Sequence, residues 1–141
     1  MNRAPGDDAL VAAARAARED AYAPYSGFKV GAAVVCKDGR VFTGVNVESL
    51  SYGLTCCAER VAIFKAVSEG SRSFEAIAVV AGDDGIAYPC GACRQVMNEF
   101  APAMRVIVED LKGHRVATTL AALFPDPFGP RGDVRQAGRP G

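Results

Sequence analysis

Residues 76–81 read Ala76-Ile77-Ala78-Val79-Val80-Ala81, an apolar run with no polar residue inside it. A strand with one wet face alternates apolar and polar side chains, so this unbroken run predicts a strand covered on both faces. The flanking sequence supplies the cover. Downstream, Pro89 precedes residues 90–100, CGACRQVMNEF, a helix pattern with Val96, Met97 and Phe100 as its apolar stripe. Arg105 to Glu109, RVIVE, then reads as another short strand. Upstream, Cys57 to Glu69 has helical spacing, with Val61, Phe64, Ala66 and Val67 available for burial and Gly70 as the stop.

Further out, Lys29–Cys36 and Arg40–Asn46 flank a turn centred on Asp38-Gly39, which predicts a hairpin. Gly31 and the alanines of its first strand predict close packing beneath something bulky. Asp7 to Ala21 reads as a helix with Leu10, Val11, Ala14 and Ala17 on one face. Its acids sit at the positive end of the helix dipole, and Arg15 and Arg18 towards the other. Val116 to Phe124 reads as a short terminal helix. Residues 129–141 are rich in Gly, Pro and Arg, with only Val134 and Ala137 apolar, the composition of a disordered tail. The order helix, hairpin, helix, strand, helix, strand predicts an α/β domain over residues 1–128, a three-layer α/β/α sandwich with a mixed central sheet.

The chain has 141 residues, enough for one domain with a real core and no need of disulfides. Lys plus Arg number 16 and Asp plus Glu 16, a formal net charge of zero. Binding to nucleic-acid phosphates draws on counterion release and a basic excess, so a nucleic-acid partner is not expected. No apolar stretch approaches the roughly 18 residues that span a bilayer, so no membrane partner is expected either. The N-terminal MNRAPGDDAL lacks an apolar h-region with a cleavage site, and a cytoplasmic location is expected. Five cysteines in such a chain point away from a disulfide framework and towards metal or catalytic chemistry.

Cys57 and Glu59 lie at the mouth of one predicted helix, and Cys90 and Cys93 at the mouth of another. Residues three apart in a first turn point the same way, so Cys90 and Cys93 can grip one ion. A helix N-terminus and a nearby cation both favour the thiolate that zinc requires. Three sulfur ligands leave a fourth position open for water, the mark of a catalytic zinc rather than a structural one. Glu59, two residues along, reads as the base that takes the water's proton. Three thiolates on one zinc ion sum to minus one, which would blunt the metal as a Lewis acid. Arg60 can draw that charge off by donating hydrogen bonds to the sulfurs.

The pairing of Cys57-Ala58-Glu59 with Pro89-Cys90-Gly91-Ala92-Cys93 resembles the signature of zinc nucleoside deaminases, with Cys in place of the usual first His. With Arg60 following, it is similar to the small homotetrameric cytidine deaminases. The resemblance continues through residues 23–33 (APYSGFKVGAA), 43–48 (TGVNVE), 51–55 (SYGLT) and 123–128 (LFPDPF), covering roughly residues 7 to 128. It implies a cytidine deaminase-like fold, one zinc ion per subunit, and hydrolytic deamination of cytidine and 2'-deoxycytidine in pyrimidine salvage. It also implies that Phe28 stacks on the pyrimidine, that Asn46 and Glu48 hold the ribose hydroxyls, and that the main chain at Ala58 meets the base carbonyl. Tyr52 and Phe128 would complete neighbouring pockets across the subunit boundaries of a homotetramer. Ser49-Leu50 departs from the Asn-Ala that commonly follows the Glu in that family.

Weaker readings stand beside these. Cys36, in a strand, and Cys56, vicinal to Cys57, read as core thiols. His114, the only histidine, reads as a solvated turn residue. A deaminase of another cytosine-containing small molecule, such as a nucleoside antibiotic, is one alternative function. A non-catalytic zinc-stabilised binding module is another, although such a module needs no poised carboxylate at Glu59.

Overall fold

The computed structural model describes residues 5–83 and 85–129. Most of the expected tail, residues 130–141, lies outside the described residues. In chain order the elements are α1 (Asp7–Arg18), β1 (Gly31–Cys36), β2 (Val41–Val45), a 3-10 turn (Tyr52–Leu54), α2 (Ala58–Ser68) and β3 (Phe74–Val80). After them come α3 (Gly91–Phe100), β4 (Arg105–Glu109), β5 (Arg115–Thr119) and α4 (Leu120–Leu123). The five strands form one sheet in the order β2-β1-β3-β4-β5. Only β3 and β4 run parallel, and the other pairs are antiparallel, so the sheet is mixed as expected.

The unbroken apolar run of β3 is explained by what covers each face. Ala76, Ala78 and Val80 pack with Ala33, Val35 and Ile107 under Leu10, Val11 and Ala14 of α1. Ile77 and Val79 point the other way, into a larger cluster with Ala62 and Ile63 of α2 and Met97 of α3. Helix α1 therefore covers one face, and α2 and α3 the other. The smaller residues face α1, and the approach is close: a Cβ on Gly31 would stand 2.0 Å from the Ala14 carbonyl oxygen. Gly44 plays the same part beneath α2, where a Cβ would lie 2.4 Å from the Ala58 oxygen and the Ala62 nitrogen. The bulky object expected above Gly31 is thus a helix backbone.

The Asp38-Gly39 turn closes the hairpin as expected, with Gly39 at φ +93° and its N–H donating to the Cys36 carbonyl at 2.9 Å. Two local expectations need correction. The helix expected over Val116–Phe124 is a strand followed by a short helix. Val116 and Thr118 are β-branched and half-buried between exposed neighbours, and β4 satisfies their backbone through an antiparallel ladder. The helix begins only at Leu120, where Thr119 Oγ1 accepts from the Ala122 N–H at 3.2 Å. In α2 the buried face is Ala58, Glu59, Ala62, Ile63 and Ala66, whereas Phe64 is exposed and Val61 and Val67 are only half-buried. Small residues face inward because the helix axis rides so close to Gly44.

Candidate metal centre and active site

Helices α2 and α3 begin at the same place beyond the C-terminal end of β3, the usual ligand-binding edge of a parallel strand pair. Cys57 is the N-cap of α2 and Cys90 the N-cap of α3. The Cys90 sulfur itself accepts from the Cys93 N–H at 3.5 Å, so this thiol caps its own helix. The sulfurs of Cys57, Cys90 and Cys93 all lie within 4.8 Å of one another, and Cys57 and Cys90 are 3.7 Å apart. Tetrahedral zinc–thiolate bonds of about 2.3 Å set sulfurs about 3.8 Å apart, so the three fit a shared ion. Cys36 is buried in β1 and Cys56 is half-buried in a bridge to Val47; neither belongs to the cluster.

The electrostatics fit the same ion. A hydrogen bond from the Cys93 thiol, aided by Arg60 and Cys90 against the cost of burial, lowers the Cys57 thiol to about 5. Cys93 is driven up by that same bond and by its own burial. The cluster therefore favours the thiolate form of Cys57. Arg60 Nη2 donates to the Cys57 sulfur at 3.5 Å, and that bond holds the guanidinium firmly protonated. Its Nε is buried without a partner among the described residues.

Glu59 is 5% exposed and lines the same cavity as Cys57 and Cys90. Burial pushes its carboxyl up to about 7. A carboxyl in that range both takes and gives a proton near neutrality. The cavity measures about 280 Å³ and is walled also by Phe28, Asn46, Glu48, Ala58 and Tyr88. A larger hollow of about 600 Å³ lies at the other end of the sheet, between Arg72, Phe74, Phe100 and Arg105. It holds none of the cysteines. Chemistry, not size, marks the site.

Asn46 and Glu48 line the cavity while also building it. Asn46 Nδ2 donates to the Phe28 carbonyl at 2.8 Å, and its Oδ1 accepts from the Val30 N–H at 2.9 Å. The Glu48 carboxylate accepts from the Tyr25 and Ser26 N–H groups, each at 3.0 Å, and from the Ser26 hydroxyl. Those bonds, the hydroxyl foremost, hold its carboxyl below the usual range. Phe28 is half-exposed at the rim. Tyr52 and Phe128 do not reach the cavity of their own chain. Tyr52 is 75% exposed, edge-on to Tyr25 across a neighbouring hollow, and Phe128 is 84% exposed. Gln95 Nε2 donates to the Phe128 carbonyl at 3.1 Å.

Sequence reasoning missed Tyr88, whose signal was its place directly before Pro89-Cys90. It also missed Thr55 and Ser26, short polar residues with no signal of their own. His114 is exposed as expected, but its ring nitrogen Nδ1 lies 2.7 Å from Asp110 Oδ2.

With this geometry in hand, comparisons with known proteins agree. The family model for the cytidine and deoxycytidylate deaminase zinc-binding region matches residues 5–109. A cytidine deaminase of Sporosarcina psychrophila is 52% identical over 120 residues, covering 84% of this chain and 88% of its own. A blasticidin-S deaminase of Bacillus cereus is less similar, 36% identical over 104 residues, covering 68% of this chain and 74% of its own. The crystal structure of a cytidine deaminase from Burkholderia pseudomallei superposes with a TM-score of 0.85 at 53% identity, covering 88% of this chain and all of that one.

Proposed function

The chain belongs to the cytidine and deoxycytidylate deaminase family, and from that premise we infer how its own residues carry out zinc-dependent hydrolytic deamination of cytidine to uridine and ammonia. The observation that carries the assignment of residues is the convergence of three sulfurs with a buried carboxyl in one cavity. Cys57, Cys90 and Cys93 would hold one zinc ion. When bound, the metal lowers the pKa of a water towards neutrality, so that it attacks as a strong nucleophile.

Every other task falls to the protein. Glu59, shielded from bulk water and poised about neutrality, accepts a proton from the attacking water and passes it to ring N3, which makes C4 electrophilic. It then moves the proton of the new C4 hydroxyl to the amino group, which leaves as ammonia as C4 becomes a carbonyl. Arg60, bonded to the Cys57 sulfur, spreads the thiolate charge away from the metal. The first N–H groups of a helix have no partner within it, so the main chain at Ala58 is free to meet the base carbonyl. Phe28 stacks on the pyrimidine, while Asn46 and Glu48 meet the sugar hydroxyls with the capacity their own loop leaves them.

2'-Deoxycytidine is accepted as well, and the reaction serves pyrimidine salvage in the cytoplasm. The catalytic domain comprises residues 1–128. No helix among the described residues is long and apolar enough to cross a membrane. Tyr52 and Phe128, too exposed to serve their own cavity, act across the subunit boundaries of a homotetramer. Incubating the zinc-loaded protein with cytidine and following the loss of cytosine absorbance tests the assignment. Absence of turnover with zinc confirmed in the sample would overturn the cytidine reading and leave a deaminase of another cytosine-containing small molecule or a zinc-stabilised module. A stable monomer by sedimentation, fully active, would remove the shared-site reading.

A further inference from the structure

The turn between β4 (Arg105–Glu109) and β5 (Arg115–Thr119) holds a fully buried carboxylate, Asp110, outside the lining of the cavity. Its four acceptor positions are filled. Oδ1 accepts from the main-chain N–H groups of Lys112 and His114, both at 2.9 Å. Oδ2 lies 2.7 Å from His114 Nδ1 and 3.3 Å from the Gly85 N–H. An ionised carboxylate only accepts, so Nδ1 carries a proton. Three of these donors belong to the turn itself, which needs nothing more to close. The fourth, Gly85, comes from elsewhere in the chain, after β3.

A neighbouring bond makes the same crossing: the Leu111 N–H donates to the Gly82 carbonyl at 2.9 Å. What these two bonds hold is a wall of the cavity. A Cβ on Gly82 would stand 2.9 Å from Phe28 Cε1, so the Phe28 ring rests directly on this backbone. Gly85 leads within three residues to Ala87 and Tyr88, which line the cavity beside Phe28.

We propose that Asp110, its carboxylate locked by His114, is a positioning residue for substrate binding. It pins Gly85 directly, and Gly82 through the adjoining turn, and so fixes the ring of Phe28 and the wall at Tyr88. The proposal rests on the reading that Phe28 meets the pyrimidine. Asp110 touches neither substrate nor reacting atoms, so its loss loosens the Michaelis complex and leaves the proton transfers at Glu59 alone.

The test is steady-state kinetics on zinc-loaded enzyme with cytidine, comparing Asp110→Asn, Phe28→Ala and the double variant. The amide presents a donor where two N–H groups expect an acceptor. Asp110→Asn should raise KM about fivefold with kcat within about twofold and zinc content equal to wild type. In the Phe28→Ala background the same change should raise KM by less than in wild type, because part of its effect passes through that ring. A folded Asp110→Asn with KM unchanged, or with effects that multiply with those of Phe28→Ala, overturns the proposal. If Phe28→Ala itself leaves KM unchanged, the stacking reading fails and the proposal falls with it. If Asp110→Asn does not fold, His114→Ala, which removes the Nδ1 bond that locks Asp110 Oδ2, applies the same rule, and an unchanged KM there also overturns it.

Discussion

Glu59 and Asp110 are both acidic, both buried, and held only a few residues from a chain reversal or a helix end. Glu59 is 5% exposed and Asp110 0%. Their chemistry is opposite. At Glu59, burial dominates and lifts the carboxyl to about 7, with little beyond its own main-chain N–H to support the anion. At Asp110, burial pushes upward too, but the His114 ring and the N–H groups of His114, Gly85 and Lys112 outweigh it and hold the group at about 2. Burial sets the cost of charge, and the donors brought to the carboxylate decide whether that cost is met. A carboxyl short of donors is free to exchange a proton near neutrality; one saturated with them is a fixed anion that can pin backbone.

The sharpest way to break this contrast is Glu59→Gln. A Gln there keeps the shape and the cavity but cannot exchange a proton, so turnover of cytidine should fall by about 10²–10⁴ while zinc content stays at wild type. Substantial residual activity would make Glu59 no shuttle at all. Arg60→Ala comes next. Loss of its bond to the Cys57 sulfur should cost about 10–100-fold in activity or zinc affinity, read from a chelator titration. Unaltered kinetics and metal retention would mean that the thiolate charge needs no outlet.

The contribution of Asp110 should show in acid. Its folded value of about 2 lies below the ordinary Asp value of about 3.9, so protonation favours the unfolded chain. It therefore stabilises the fold above about pH 4, and that part is lost as the pH falls from about 4 towards 2. Urea midpoints measured at pH 7 and pH 3 should draw closer together in Asp110→Asn than in wild type. An equal drop in both proteins would mean that the anion contributes nothing. The smallest effect belongs to Cys36, a buried thiol that burial raises and that stands apart from the metal cluster. Cys36→Ala should retain zinc and activity and lose about 1 kcal/mol of stability in denaturant.

Much of this arrangement was legible in the residues. The apolar run of β3 and the Asp38-Gly39 hairpin carry strong local signals, because turn chemistry and two-sided burial both leave marks in sequence. The cysteine spacing, with Glu59 and Arg60 beside it, named the chemistry of the site. Other parts left weaker marks. Strand β5 alternates only faintly, as an edge strand does, and its identity came from pairing with β4. The inward face of α2 is mostly alanine, which carries little hydrophobic weight beside Phe64, and the closeness of Gly44 turned the helix that way. Asp110 had no motif to raise it, and Tyr88 had only its place before Pro89-Cys90.

Sequence alone therefore determined the kinds of group available: three thiols with ligand spacing, a carboxylate and a guanidinium beside one of them, and a sheet buried on both sides. Tertiary structure decided what each group is. It brought Cys57 to Cys90 and Cys93, and it brought Gly85 to Asp110 across 25 residues, as no local rule requires. The reason is electrostatic. The proton affinity of a buried acid depends on donors within hydrogen-bonding distance. Three of those on Asp110 come from its own turn, and the fourth, Gly85, arrives from a distant segment only when the sheet has formed.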